Sequence, residues 1–223
     1  VFGNVEGSGL ISGQNNIVQL GLDDNSSTTL IGNGSIQSSK SLTVYGDLSL
    51  GIGSNDTKKL HQAATAGGDI TVTGTLETQG IVSSAQGNIQ VTGATTLTGD
   101  NASLIATSQT ADKGAITTGA LDIRNKGEVH ADKAITINGD LQNNGTILSN
   151  TGDIVINGTV ALGADAILRS GDVYEGPDTV IEQGGDITIT SDTTLGAGSV
   201  LSAANGTLTL GGTLTTTGSN QHN

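Results

Sequence analysis

The stretch from Ile135 to Asp153 reads ITINGDLQNNGTILSNTGD, and it aligns without a gap with Ile70 to Asn88, ITVTGTLETQGIVSSAQGN. Ile70 matches Ile135, Val72 matches Ile137, Gly74 matches Gly139 and Leu76 matches Leu141. Gly80, Val82, Ser84 and Gly87 then match Gly145, Ile147, Ser149 and Gly152. Apolar residues recur at i, i+2, which is strand spacing. Thr, Val and Ile favour strands. Gly, Gly-Asp and Gly-Asn break them into corners, where a positive φ is expected. The opening strand returns as LTV at Leu42, IQV at Ile89, IVI at Ile154, ITI at Ile187 and LTL at Leu208, with LDI at Leu121 inside a more degenerate unit that begins near Ile116.

Starts at 70 and 89, 116 and 135, and 135 and 154 are each 19 residues apart. Such a unit is too short to hold two strands and a crossover helix. It suits one rung of a parallel stack with a spacing of ~4.8 Å between rungs. The pattern therefore predicts an all-β fold, a right-handed parallel β-helix (β-solenoid) of about nine rungs and about 19 residues per rung. The whole chain, 1–223, is expected to form this single domain. Longer steps place loop insertions at 51–66, 101–114 and 172–184, and two less regular units are expected before Leu42, around Leu10 and Ile17. Ile70, Val72, Leu76, Ile135, Ile137, Leu141, Ile154 and Ile187 are the expected inward-facing core.

Composition agrees with a narrow aliphatic coil. Aromatic residues make up 1% of the 223 residues, and there is no Trp. Stacked aliphatic side chains fill such a coil, and an added large ring would overpack several rungs. The formal net charge is −13, from 21 acidic and 8 basic residues. This disfavours nucleic acid and anionic membrane surfaces, which need a basic face. No apolar run is long enough to insert into a membrane as a helix. Absence of Cys excludes disulfides and Cys-ligated metal. The chain begins at Val1 without a signal-like segment, so it is expected to be an excised or processed piece of a longer surface protein.

The ITINGDLQNNGTILSNTGDIVINGT stretch at 135–159, with the units at 70, 89 and 187, resembles the haemagglutinin-type repeats of filamentous haemagglutinin-like adhesins, exoproteins of the two-partner secretion route. The resemblance spans about three quarters of the chain, and autotransporter passengers look similar. It implies a secreted rod at the bacterial cell surface. Partners would be a host-cell or bacterial receptor, a glycan or matrix protein among them, and an outer-membrane transporter during export. The family's secretion-domain motifs are not evident at the start of this chain. The three insertions also set it apart from a purely mechanical shaft.

Other chemistries need residue clusters that this sequence lacks. A polysaccharide-cleaving β-helix needs carboxylates clustered with a base. Here His61, His130 and His222 are scattered, Arg occurs only as Arg124 and Arg169, and sugar-stacking rings are nearly absent. No catalytic residue, cofactor or metal site is predicted. The acidic segment around Tyr174, Glu175 and Asp178, followed by Glu182 and Asp186, fits no calcium-loop spacing. It is read as a protruding loop, and Tyr174, Glu175 and Asp178 are the candidate partner-binding residues. Lys58-Lys59 reads as solvated loop. Seven N-x-S/T sequons, at Asn25, Asn33, Asn55, Asn101, Asn144, Asn157 and Asn205, leave glycosylation open, although Asn-Gly also suits tight corners. A Thr ladder that binds ice or crystal surfaces fits Thr71/Thr73 and Thr188/Thr190, but Asn138, Val155 and Asn157 interrupt it.

Overall fold

The computed structural model describes residues 4–52, 62–110, 112–171 and 184–217. The described residues are all-β, and three parallel sheets wrap one core. Sheet 1 has ten strands, from Val5–Gly7 to Leu214–Thr216. Sheet 2 has nine, from Leu10–Gly13 to Val200–Ala203, and sheet 3 has nine, from Val18–Leu20 to Leu208–Leu210. The chain visits sheets 1, 2 and 3 in turn, so every strand pairs with strands one coil away. The quoted repeat Ile135–Asp153 is one coil. It runs through Ile135–Ile137 in sheet 3, Leu141–Asn143 in sheet 1 and Thr146–Ser149 in sheet 2.

The register stacks like on like. Ile70 pairs with Ile89, Ile116 with Ile135, Ile135 with Ile154, and Ile154 with Ile187. All eight predicted core residues are buried, none more than 2% exposed. Full burial of one such side chain contributes about 1.5–3 kcal/mol. Ile137 has Ile156 above it, as expected, but the row below is Thr118 rather than an aliphatic residue. Thr118 is tolerated inside because its hydroxyl meets that of Thr95 at 2.6 Å.

The repeat's shared Ser has a structural role. Ser84 and Ser149 point inward at the end of sheet 2. The Ser149 hydroxyl contacts the carbonyls of Lys133 and Gly152 at 2.7 Å each, and that of Ser84 donates to Gly68. Corner carbonyls that sheet pairing leaves unpaired are satisfied in this way. Corner Asp residues act in the other direction. Asp140 Oδ1 accepts from the N–H and hydroxyl of Thr159, one coil on, at 2.8 and 2.9 Å. Asp47 does the same for Thr75.

Several sequence expectations need correction. Nineteen residues is not the general coil: sheet 3 starts at Ile135 and Ile154 differ by 19, but those at Ile154 and Ile187 differ by 33. Leu10 and Ile17 do not open two units. The strands Leu10–Gly13 and Val18–Leu20 belong to one coil, in sheets 2 and 3. The insertions are narrower than the steps suggest. Asp47–Ile52 and Gln62–Ala66 are paired strands on either side of 53–61. Ser103–Ala106 is likewise a regular strand, so the extra chain begins at 107.

Corner glycines do not generally need positive φ. Gly46 and Gly114 have it, but Gly74, Gly93 and Gly119 do not. They are glycine because successive corners touch: a Cβ on Gly93 would lie 2.7 Å from the Gly74 carbonyl oxygen, and one on Gly119 would lie 2.6 Å from that of Gly93.

Candidate functional site

The three outer faces differ in chemistry. On sheet 3 the outward position of each strand forms a column that carries Thr43, Thr71, Thr117, Thr136, Thr188 and Thr209. Gln90 and Val155 interrupt it. Sheet 1 presents Glu77, Thr96, Asp122, Gln142 and Ala161 in its outward column. Both faces are polar, as solvated strand faces should be.

Sheet 2 breaks this rule. All but one of its strands have four residues, and several carry two adjacent apolar residues: Ile81-Val82, Leu104-Ile105, Ile147-Leu148, Ile167-Leu168 and Val200-Leu201. Side chains alternate along a strand, so one of each pair must point outward. Val82, Leu104, Ile147 and Leu168 are buried, while Ile105, Leu148, Ile167 and Val200 are half-buried on the outside.

Two outward columns result. One runs Glu128, Thr146, Ile167, Val200 and the other Ile105, His130, Leu148, Arg169, Ser202. His130 Nδ1 faces the Glu128 carboxylate at 3.6 Å, and Nε2 is 3.1 Å from Asn150 Oδ1. Asn150 Nδ2 in turn donates to Asp132 Oδ1 at 2.9 Å, which turns its oxygen toward the imidazole. The contact with Glu128 raises the His130 pKa. Partial burial opposes this, and Asn150 and the charges of Glu128 and Asp132 add to the rise. The same contact holds Glu128 below its usual range, against its own burial.

Arg169 is in a different state. Its Nε is buried and meets no acceptor. Ion pairs among the described residues are Lys113–Asp69, Arg124–Asp122 and His130–Glu128, and none involves Arg169.

The corner between sheets 2 and 3 bounds this face. Segment 107–114 folds back over it: the Ser108 N–H donates to Asp132 Oδ2 at 2.8 Å and Lys113 Nζ reaches Asp69 at 2.9 Å. Burial pushes the Asp69 pKa up, but the Asn88 N–H and Lys113 together hold it below the usual range. Three strands further along, at the same corner, Gly171 and Gly184 touch: a Cβ on Gly184 would lie 2.8 Å from Gly171 Cα.

Tyr174, Glu175 and Asp178 lie outside the described residues, as do Glu182, His61, His222 and Lys58-Lys59. Asp186 serves the corner, accepting the Thr207 N–H at 2.7 Å. Arg124 pairs with Asp122 at 2.9 Å. Among the described residues no group of three or more His, Asp or Glu is placed to hold a metal ion. At the Asn-Gly sequons, Asn205 takes φ 59°, and Asn144 Nδ2 donates to the Ile123 carbonyl at 3.1 Å. The Asn205 backbone and the Asn144 side chain thus serve corners. Sequence reasoning missed Leu148, Ile167, Arg169 and Val200. The available signal was the apolar doublet, which violates i, i+2 alternation wherever it occurs.

Compared with known proteins, the chain matches no family model, no curated protein and no solved structure.

Proposed function

We propose that this chain is a non-catalytic adhesive module of a secreted bacterial surface protein, a rigid rod that attaches to a partner through its side. The observation that carries the reading is a stiff coil whose sheet 2 outer face carries half-buried apolar side chains. A shaft needs only the polar faces of sheets 1 and 3. Apolar side chains on the outer face of a rod point to recognition. The resemblance of 135–159 to haemagglutinin-type repeats supports the same class, with export through an outer-membrane transporter. Absence of Cys suits that route. Receptors of this class are cell-surface glycans or proteins, including matrix proteins. In this reading Tyr174, Glu175 and Asp178 contribute to partner binding.

The test is a solid-phase screen of the purified chain against host-cell glycans, matrix proteins and whole cells. A saturable signal that falls when Leu148 and Val200 are replaced by Thr is expected. Equal binding by the wild type and that double variant, or no binding to any of the panels, would overturn the reading.

A further inference from the structure

The chain carries 21 acidic residues against 8 basic ones, so a cation should easily find a carboxylate. Arg169 does not: its Nε is buried without an acceptor. Leaving a buried donor unpaired costs about 1–3 kcal/mol. Its column neighbours are Leu148 below and Ser202 above, and neither is acidic. The next charged neighbour down the column is His130, which is engaged with Glu128 and Asn150. Arg169 is therefore a cation without an ion-pair partner among the described residues of an acidic molecule, and an anion reaching its guanidinium would supply the missing acceptor. Around it lie the half-buried side chains of Leu148, Ile167 and Val200.

Resting on the adhesive reading above, we propose that the outer face of sheet 2 at Leu148, Ile167, Arg169 and Val200 is a docking surface for an extended polypeptide segment bearing an aliphatic side chain and, two residues on, a carboxylate. Ile167 and Arg169 are i and i+2 on one strand, about 6.6 Å apart along it. An extended ligand has the same i, i+2 spacing, so one side chain covers Ile167 and Val200 while the next on that face reaches the guanidinium. Carboxylate recognition by Arg is charge-assisted and directional. Half-buried aliphatic walls at strand spacing beside a cation favour an extended peptide over a sugar.

The experiment is amide NMR titration of the isotope-labelled full chain with three probes: acetyl-Leu-Gly-Asp-amide, acetyl-Leu-Gly-Asn-amide and 3′-sialyllactose. The Asp peptide is expected to shift the amides of Leu148, Ile167 and Arg169 and the Arg169 Nε–H. It should bind about tenfold more tightly than the Asn peptide, the ratio given by one charge-assisted hydrogen bond. Arg169→Gln should abolish that ratio, and Leu148→Thr with Val200→Thr should weaken both peptides alike. No shift on this face with the Asp peptide, or discrimination that survives Arg169→Gln, would overturn the proposal. Tighter binding of sialyllactose at the same amides would overturn the choice of a peptide. The Asp-to-Asn comparison on the wild type stands even where a variant fails to fold. A failed cell and matrix screen with Asp-peptide shifts retained would sink the adhesive reading alone. Binding in that screen without peptide shifts would sink this proposal alone.

Discussion

Sheets 2 and 3 share one core and one coil, yet their outer faces obey different rules. In sheet 3 a three-residue strand such as Ile135–Ile137 gives two residues to the core and one Thr to water. In sheet 2 a four-residue strand such as Thr146–Ser149 buries Ile147 and Ser149 and turns Thr146 and Leu148 outward. Sheet 2 thus leaves an apolar residue half-buried on the outside while it buries a polar one. The inside is set by stacking, because every coil must match the coils above and below. The outside is free of that constraint, so the half-buried apolar residues there are the ones the proposed adhesive reading draws on.

The largest test of this division is Ile137→Asp against Thr136→Asp. Ile137 is fully buried between Thr118 and Ile156, whereas Thr136 faces out between Thr117 and Val155. An unpaired carboxylate among aliphatic rows should cost several kcal/mol. The same charge on Thr136 stays in water and should change stability by less than about 0.5 kcal/mol. Denaturant unfolding of both variants checks this, and equal costs would mean that the inside–outside register is wrong. Because each coil touches mainly its neighbours, the damage should open the central coils first.

A smaller effect separates the two residues at the end of one sheet 2 strand. Ser149→Ala removes a hydroxyl that contacts two corner carbonyls at 2.7 Å and accepts the Gly152 N–H at 3.1 Å. Buried groups left unpaired should cost about 1–3 kcal/mol. Leu148→Thr, one residue away and facing out, should cost less than about 1 kcal/mol. If Leu148→Thr proves the more costly, its side chain serves the fold, and the contrast between the faces dissolves. Thermal melts of the two single variants decide.

How much of this was legible in the sequence follows from the same contrast. Sheet 3 was readable because I-T-I strands carry strict alternation and begin at a regular interval in the plain coils. Ile70, Ile135, Ile154 and Ile187 are buried as that alternation requires. Sheet 2 was harder. Ser103–Ala106 reads SLIA, with adjacent apolar residues and no Gly-Asp after it, so it was absorbed into an insertion although it pairs on both sides. Corner glycines were visible, but their reason was not. A backbone-to-backbone approach, such as Gly93 over Gly74, depends on the coil above, which no local turn signal records. Arg169 was only one of two scattered arginines until register placed it above Leu148. Its unpaired Nε is a three-dimensional fact.

The smallest expected effect is a pH dependence confined to sheet 2. His130 has Glu128 on one ring nitrogen and Asn150 on the other, and Asp132 lies behind Asn150. Its folded pKa is raised, so the stability it contributes is fully present below its unfolded value of about 6.5 and is lost as pH climbs through the raised folded value. Glu128 is lowered, so its contribution is present above its unfolded value of about 4.3 and is lost as pH falls through the lowered folded value. The pair therefore supports the fold most between about pH 4.5 and 6.5. Both side chains are partly exposed, so the contribution should be about 0.2–1 kcal/mol, or roughly 1–3 °C in Tm. Melting His130→Gln and the wild type from pH 5 to pH 8 should show the widest gap near pH 5.5–6 and a narrower one by pH 8. Thr136→Gln on sheet 3, where the adjoining outward residues Thr117 and Val155 do not titrate, should show a gap that is flat across the range. A His130→Gln gap that widens toward pH 8 would mean that neutral imidazole is the form the fold prefers. Glu128 would then contribute no ion pair to the sheet 2 face.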